Sequence, residues 1–320
     1  MPEPFLIDTD TASDDAVALI MALRSQRARV LAITTVAGNV PVRQATRNAL
    51  YTAEICGADV PVYQGAASPL TRSLNTAEWF HGNDGLGDRG YPPPARNAEK
   101  AHAVDAIVAT IRANPDLTLV TLGPLTNIAF ALAQAPDIAH NVGRCVVMGG
   151  APCCVGNVTP AAEYNIWVDP EAARVVMRSG MHVELIGWQL CRGPAVLGPA
   201  DIARVEGIGT PLAHFAIDCN STARAAFRTQ TGEDGISLPD PVAMSVALDP
   251  SICTESSRHY VDVETASELT RGMTVVDRLN VARNDRNRVV WADLSQREPT
   301  VTVCWSIDAA RWKQSLYAAL

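Results

Sequence analysis

Short apolar runs alternate with amphipathic stretches through the first 190 residues of the chain. The apolar runs have the length of buried strands, and most are followed by a stretch whose apolar residues recur at helical spacing. We predict strands at residues 5–7, 30–36, 59–62, 117–122, 144–148 and 183–186, and helices at 16–23, 42–56, 101–113, 126–135 and 170–178. This repetition predicts an α/β fold with an open, mostly parallel, doubly wound sheet flanked by helices.

The pattern changes after Gly198. Helical spacing covers residues 201–228 and 240–248, β-like runs follow at 259–263, 273–277, 288–292 and 300–305, and a last helix reaches Leu320. No stretch of linker composition separates this part from the rest. We therefore expect one domain, residues 1–320, whose C-terminal mixed helical and β portion packs on the same core.

Composition excludes several classes of protein. The chain has 320 residues, is 48% hydrophobic and carries a net charge of −8, which argues against a nucleic-acid partner. It contains no apolar stretch long enough to span a membrane, and no basic segment precedes the first strand. Its eight cysteines are scattered without a CxxC pair, which argues against a zinc ribbon or a redox dithiol. We expect a cytoplasmic enzyme with reduced thiols.

Four carboxylates lie between the first predicted strand and the first predicted helix: Asp8, Asp10, Asp14 and Asp15. In open α/β sheets, ligands bind beyond the carboxyl ends of the strands. Carboxylates this close repel one another and raise at least one pKa unless a cation neutralises them. The cluster therefore predicts a hard divalent cation with oxygen ligands. Ser13 or Asp14 is the expected N-cap of the helix.

Other interpretations of the cluster are weighed against this one. An EF-hand is excluded because Ala12 and Ser13 stand where that loop needs an acidic residue and a glycine. An aspartyl phosphatase, in which Asp8 or Asp10 is phosphorylated and the other acts as acid and base, fits the spacing of the pair. It leaves Asp14 and Asp15 without a role.

Further polar residues follow later strands. Glycine-containing junctions at 37–39, 122–124 and 148–150 end three predicted strands, so they should converge with the acidic cluster. Asn157, Glu163 and Asn165 follow the last of these junctions, and amides with one carboxylate suit a sugar better than a phosphate. The long glycine- and proline-rich segment 64–97 carries Trp79 and His81 and is predicted to be a lid.

Several motifs occur in a characteristic order along the chain. These are DTDTASDDAVAL from Asp8, HGNDGLGD from His81, GPLTNIA from Gly123, AEYNIWVDPEAA from Ala162 and LPDPVAM from Leu238. In this order they resemble the calcium-dependent nucleoside N-ribohydrolases over nearly the whole chain. The resemblance implies that the protein splits ribonucleosides into free base and ribose, with no nucleic-acid or membrane partner, and forms a homodimer or homotetramer.

The same resemblance implies roles for individual residues. Ca²⁺ would be held by the carboxylates of Asp10, Asp15 and Asp240 and by the carbonyl oxygen of Leu122. Asp10 would also take a proton from the calcium-bound water that attacks the sugar. The nucleoside's ribose would be bound by Asp14, Asn39, Met148, Asn157, Glu163 and Asn165. Asp8 is expected to support the metal site from behind.

One position departs from the family pattern. The best-known members of the family carry a histidine directly before the last metal-binding aspartate, where it protonates the leaving base, and Pro239 stands there in this chain. The replacement proton donors that we consider are His81, Cys153, Cys154, Arg224 and Arg228. Trp79 or Trp188 could instead stack on the base. A calcium-dependent protein that binds ribose without cleaving nucleosides is therefore a further hypothesis.

Overall fold

Eight strands form one sheet in the computed structural model, which describes residues 2–287, 289 and 300–320. The order across this sheet is β3-β2-β1-β4-β5-β6-β10-β7, and a separate hairpin consists of β8 and β9. The strands are β1 Glu3–Thr9, β2 Ala28–Thr35, β3 Val62–Gln64, β4 Leu117–Thr121, β5 Val142–Met148, β6 Val183–Ile186, β7 Cys253–His259, β8 Val261–Val263, β9 Thr274–Val276 and β10 Val301–Ile307. All neighbouring pairs of the large sheet are parallel except β10 and β7, so the predicted α/β sheet is confirmed.

Helices cover both faces of this sheet. They are α1 Ser13–Arg24, α2 Val42–Ile55, α3 Glu78–His81, α4 Ala103–Ala113, α5 Thr126–Gln134, α6 Tyr164–Val168, α7 Pro170–Met177, α8 Pro199–Glu206, α9 Pro211–Asp218, α10 Ser221–Thr231, α11 Pro239–Leu248 and α12 Ala309–Ala319. Along β1, Phe5 and Ile7 enter one hydrophobic core while Leu6 enters the other. A strand that is buried on both faces is an uninterrupted apolar run, which is why the pattern predicted it.

The chain reverses its direction of travel across the sheet at β1. It first builds outward through β2 and β3, and then crosses back to place β4 against the other side of β1. Such a reversal leaves a crevice beyond the carboxyl ends of the two central strands. The residues directly after β1, and Leu122 directly after β4, lie at this crevice.

Some predicted boundaries are wrong. Helix α1 begins at Ser13, with Ala12 as its N-cap, so neither Ser13 nor Asp14 caps it. Instead, the Ala12 N–H donates to Oδ2 of Asp15, 2.9 Å away, and this places Asp14 and Asp15 in the first helical turn. The strand predicted at 59–62 begins only at Val62, since it forms the short edge strand β3.

The C-terminal portion differs more from its prediction. The helical stretch 201–228 is divided among three helices, α8, α9 and α10. Strand β7 was missed except for His259, because its largely exposed residues at the sheet edge carry no apolar run. The strand predicted at 288–292 lies, apart from Val289, outside the described residues. No helix in the described part of the chain is long and apolar enough to cross a membrane.

Candidate active site

Three carboxylates from two distant parts of the chain meet at the crevice. Asp14 and Asp15 come from the first turn of α1, and Asp240 comes from the first turn of α11. One carboxylate oxygen of each lies within 4.8 Å of the others, and all three residues are buried. Packing of α1 against α11 brings them together. Pro239 begins α11, where its preset φ and missing N–H suit the first helical position.

Asp10 lies beside this group at the end of β1. Its Oδ2 accepts the Asn39 N–H at 2.6 Å, whereas its buried Oδ1 has no hydrogen-bond partner among the described residues. A Cβ on Gly38 would lie 2.1 Å from Oδ2, and one on Gly123 would lie 2.7 Å from Oδ1. The two glycine junctions therefore leave space for this carboxylate, and they lie beside the acidic cluster as predicted.

The four carboxylates are held in unusual electrostatic surroundings. Burial raises the pKa of Asp10 well above its ordinary value, and the charge of Asp15 adds to the effect. Burial likewise raises the pKa of Asp14 to about 6, and that of Asp15 and Asp240 is raised as well. Buried carboxylates that repel one another are stabilised by a bound cation. Unpartnered oxygens on Asp10 and Asp14 are suited to ligate one.

Asp8 faces away from this group. Its Oδ1 accepts hydrogen bonds from Thr34 Oγ1 at 2.5 Å and from Asn127 Nδ2 at 2.8 Å. Burial raises its pKa to about 7. A fully buried carboxylate held in this way is poorly placed to attack a phosphate, so the geometry speaks against Asp8 as the nucleophile of an aspartyl phosphatase.

The residues expected to bind ribose surround the same crevice. Asn165 donates from Nδ2 to the carbonyl oxygen of Leu122 at 2.7 Å and to that of Met148 at 3.3 Å. Asn39, besides its backbone contact with Asp10, donates from Nδ2 to Asp15 Oδ2 at 3.5 Å. Met148, Asn39 and Asn165 are all buried.

Glu163 has a structural task of its own at the N-terminus of α6. Its carboxylate accepts hydrogen bonds from the backbone N–H groups of Gly150 at 2.7 Å, Asn165 at 2.9 Å and Ile166 at 3.3 Å. Burial raises its pKa to about 7. Asn157 instead lies exposed on the preceding turn, where its Oδ1 accepts the Tyr164 N–H at 2.9 Å.

His81 reaches the acidic group from the segment that was predicted to be a lid. Its Nδ1 is hydrogen bonded to Ser13 Oγ at 2.8 Å and lies 3.7 Å from Asp14 Oδ1. Burial lowers its pKa to about 4, although the charge of Asp15 acts in the opposite direction. Trp79, two residues earlier, is 64% exposed.

The other leaving-group candidates are placed less favourably. Both side-chain groups of Arg224 that donate hydrogen bonds, Nε and Nη2, bind Asp234 at 2.8 Å, and Arg228 is exposed. Trp188 is half-buried, and its backbone N–H donates to the Gly150 carbonyl at 2.8 Å. Cys153 is exposed with a left-handed φ of 56°, and Cys154 is half-buried beside it.

Two contributions were missed by reasoning from sequence. Asn127 donates from Nδ2 to Asp8 and to the Thr35 carbonyl at 3.0 Å, which ties the back of the site to β2. Ser13 was considered only as a helix cap, yet it holds His81. The position of Asn127 in the GPLTNIA motif after β4 could have indicated its role. The hydrogen bond between Ser13 and His81 joins residues 68 positions apart and leaves no local pattern in the sequence.

Comparisons with known proteins agree with this geometry. The family model described as inosine-uridine preferring nucleoside hydrolase matches residues 5–314. The pyrimidine-specific ribonucleoside hydrolase RihA of Shewanella woodyi is 38% identical over 299 residues, which cover 92% of this chain and 95% of that protein.

Solved structures give the same result. A plant nucleoside hydrolase, PpNRh1, matches with a TM-score of 0.91 and 32% identity, covering 100% of this chain and 99% of that one. A purine-preferring ribonucleoside hydrolase from Gardnerella vaginalis matches with a TM-score of 0.89 and 31% identity, covering 99% and 98%. This chain therefore belongs to the inosine-uridine preferring nucleoside hydrolases, enzymes that hydrolyse the N-glycosidic bond of ribonucleosides.

Proposed function

We propose that this protein releases the free base and ribose from ribonucleosides with Ca²⁺ as its cofactor. The observation that carries the proposal is the buried group of Asp14, Asp15 and Asp240 at the sheet crevice, with Asp10 beside it. An acidic site suits an uncharged nucleoside, because binding such a substrate does not require the basic side chains that a phosphate needs.

The donor atoms fit a hard cation. Asp10, Asp15 and Asp240 with the Leu122 carbonyl are the proposed ligands, and Asp14 lies close enough to share the ion or to face the sugar. Among the described residues, the group of Asp14, Asp15 and Asp240 offers carboxylate oxygens and no thiolate or imidazole. Such a set of ligands favours calcium over zinc. The bound cation would supply positive charge that lowers the pKa of a water molecule in the crevice.

Asp10 is the proposed acceptor of the proton from the attacking water. Its Oδ1 is buried and without a hydrogen-bond partner among the described residues, so it can accept this proton. Burial and the charge of Asp15 raise the pKa of this carboxylate, which makes it a stronger base than an exposed aspartate.

The ribose is proposed to lie between Asp14 and the 148–165 segment. Asn165 uses Nδ2 for the Leu122 carbonyl, which leaves its amide oxygen for a sugar hydroxyl. Glu163 and Asn157 would bind the 5′-hydroxyl. As the glycosidic bond breaks, the sugar takes on positive charge, and these carboxylates stabilise it.

A panel of purine and pyrimidine nucleosides tests the proposal. We expect free base to appear by chromatography without inorganic phosphate, and we expect a calcium chelator to stop its release until Ca²⁺ is added back. Tight binding of ribonucleosides without turnover would support the non-catalytic ribose-binding protein instead. That alternative is kept because Pro239 replaces the family's proton donor.

Changing Asp10 to Asn tests its role as base. The substitution keeps the shape of the side chain but removes the proton acceptor, so we expect kcat to fall by about 1000-fold. Wild-type turnover in Asp10→Asn would show that another group accepts the proton. Weaker calcium binding, measured by calorimetry, is expected as well.

Further properties of the molecule are part of the proposal. One domain spanning residues 1–320 is supported by the packing of α12 against both α1 and α11. A cytoplasmic location fits the eight free cysteines. A homodimer or homotetramer is proposed from the family resemblance, and analytical ultracentrifugation tests it.

A further inference from the structure

Ser13 and His81 form a contact that has no role in the proposed reaction as described so far. Both side chains are buried, and the bond between Ser13 Oγ and His81 Nδ1 is 2.8 Å long. Among the described residues, this ring is the only hydrogen-bond partner of the Ser13 hydroxyl. A buried hydroxyl that has one acceptor within reach donates its hydrogen to that acceptor.

The Ser13 side is fixed by its backbone. Its carbonyl oxygen accepts hydrogen bonds from Asn220 Nδ2 at 3.3 Å and from Cys219 Sγ at 3.5 Å, at the junction between α9 and α10. Ser13 is also the first residue of α1, whose next two residues are Asp14 and Asp15. The hydroxyl is therefore held in one place relative to the acidic group.

The His81 side is fixed as well. Its backbone N–H donates to the Ala77 carbonyl at 3.0 Å, and its carbonyl accepts the Gly87 N–H at 2.8 Å. The ring of Phe80 lies edge-on to the imidazole, with 4.9 Å between the ring centroids. Helix α3, which carries His81, packs against α10.

The hydrogen bond to Nδ1 decides what the other ring nitrogen presents. A neutral imidazole that accepts at Nδ1 carries its hydrogen on Nε2. No described residue forms a hydrogen bond with Nε2. Since Nδ1 lies 3.7 Å from Asp14, which is proposed to bind the ribose hydroxyls, the ring borders the sugar.

We infer that Ser13 is a positioning residue that holds His81 with its Nε2–H toward the departing base. This inference rests on the proposed function. When the glycosidic bond breaks, its electron pair moves to the base, and the Nε2–H group donates a hydrogen bond to the negative charge that develops there. A neutral histidine can act in this way without transferring its proton. The base anion then takes a proton from solvent. Asp10 releases to solvent the proton that it accepted from the attacking water.

The test compares two leaving groups. Cleavage of uridine or inosine releases the base as an anion, which is more basic than the p-nitrophenolate released from p-nitrophenyl riboside. The nitro group delocalises the charge of that phenolate, so its departure depends less on a hydrogen-bond donor. We expect Ser13→Ala to lower kcat for the nucleosides by about tenfold and His81→Ala by on the order of 100-fold. Both variants should hydrolyse p-nitrophenyl riboside at close to the wild-type rate.

Two comparisons separate positioning from general damage. The double variant should be no slower than His81→Ala alone, because Ser13 acts through the ring. Ser245→Ala is the matched control, since Ser245 is equally buried and its hydroxyl donates, within the described part of the chain, only to the Val242 carbonyl of its own helix. It should show no dependence on the leaving group.

A measurement without turnover completes the test. In protein labelled with ¹⁵N-histidine, the His81 resonances should report hydrogen on Nε2 in the wild type and a mixture of tautomers in Ser13→Ala. Equal slowing of both substrate types, or an unchanged tautomer in Ser13→Ala, would overturn the inference. A wild-type protein that releases no base from any nucleoside would overturn the proposed function itself.

Discussion

The buried aspartates of this site differ in role because their oxygen atoms have different partners. Asp8 accepts from Thr34 and Asn127, and Asp15 accepts from Thr9 Oγ1 at 2.5 Å as well as from Ala12. Asp10 accepts the Asn39 N–H at one oxygen, and its other oxygen is buried without a partner among the described residues, as is Oδ2 of Asp8. Residue type alone cannot distinguish these carboxylates, and their hydrogen bonds can.

Glu163 gives a prediction at this scale. Its two oxygens accept three backbone N–H groups, so Glu163→Gln replaces one acceptor with a donor that faces an N–H. We expect kcat/KM for nucleosides to fall by about 10- to 100-fold, with kcat and KM both affected. The reason is that the proposed contact between Glu163 and the 5′-hydroxyl stabilises the bound substrate and the transition state alike.

Asn157→Ala is the companion variant. The side chain of Asn157 is exposed and, among the residues that the structure describes, bonds only the Tyr164 N–H. Its loss should therefore cost about tenfold in kcat/KM with little change in melting temperature. Steady-state kinetics and thermal unfolding of both variants check this pair. Unchanged kinetics in both would remove the 5′-hydroxyl assignment.

At the scale of elements, the site depends on how helix ends and loops are tied to it. The segment 64–97 contains helix α3 and contacts the rest of the site at several points. The Ala77 N–H donates to the Asn39 carbonyl at 2.9 Å, and Tyr164 Oη donates to the Asn75 carbonyl at 2.7 Å. These contacts tie segment 64–97 to residues beside the crevice, and its role as a lid stays a prediction.

Tyr164→Phe removes one of these ties without changing the shape of the ring. A neutral hydrogen bond contributes about 1 kcal/mol, so we expect KM for nucleosides to rise up to about fivefold while kcat changes little. Tyr317→Phe is the matched control, because Tyr317, on helix α12, donates from Oη to Asp201 of α8 at 2.8 Å and takes no part in the contacts of segment 64–97. Equal effects of both variants would contradict a specific role of the Tyr164 contact.

At the scale of the whole molecule, the fold brings together carboxylates that are costly to bury. Burial raises the pKa of Asp8 to about 7 and that of Asp14 to about 6. The unfolded chain releases these protons near pH 4, before the folded protein does. With fewer protons on the unfolded state, the free energy of unfolding falls as pH rises through this interval.

Calcium should offset the part of this loss that arises at its proposed site, where the pKa values of Asp10, Asp14, Asp15 and Asp240 are all raised. We expect the melting temperature of the chelator-treated protein to fall between about pH 4 and pH 7, and the stabilisation by Ca²⁺ to grow over the same interval. At 100 times its Kd, the ion adds about 2.7 kcal/mol, or roughly 4 °C for a chain of this length. Scanning calorimetry at several pH values checks both effects. A metal-free protein that gains stability toward pH 7 would contradict the electrostatic account.

Much of the fold could be predicted from sequence because the sheet is buried on both faces. The apolar runs at β1, β2, β4, β5 and β6 stand out for that reason. Strand β7 could not be predicted, because it lies at the edge of the sheet with largely exposed residues. The break between α8 and α9 had a local signal, since Gly209 with a left-handed φ precedes the Thr210 cap and Pro211, and the helical spacing was followed across it instead. The break between α9 and α10 carries no such signal.

The sequence by itself determined the α/β class and the position of the acidic cluster, because strand periodicity and close carboxylates are local properties of the chain. The resemblance of its motifs indicated the family and the candidate residues of the site. Only the tertiary structure decided that Asp240 meets Asp15, that Asp8 is turned away from the crevice, and that Ser13 holds His81. These contacts join residues that are distant in sequence or differ only in orientation, so they arise from helix packing and from the competition for each buried hydrogen bond.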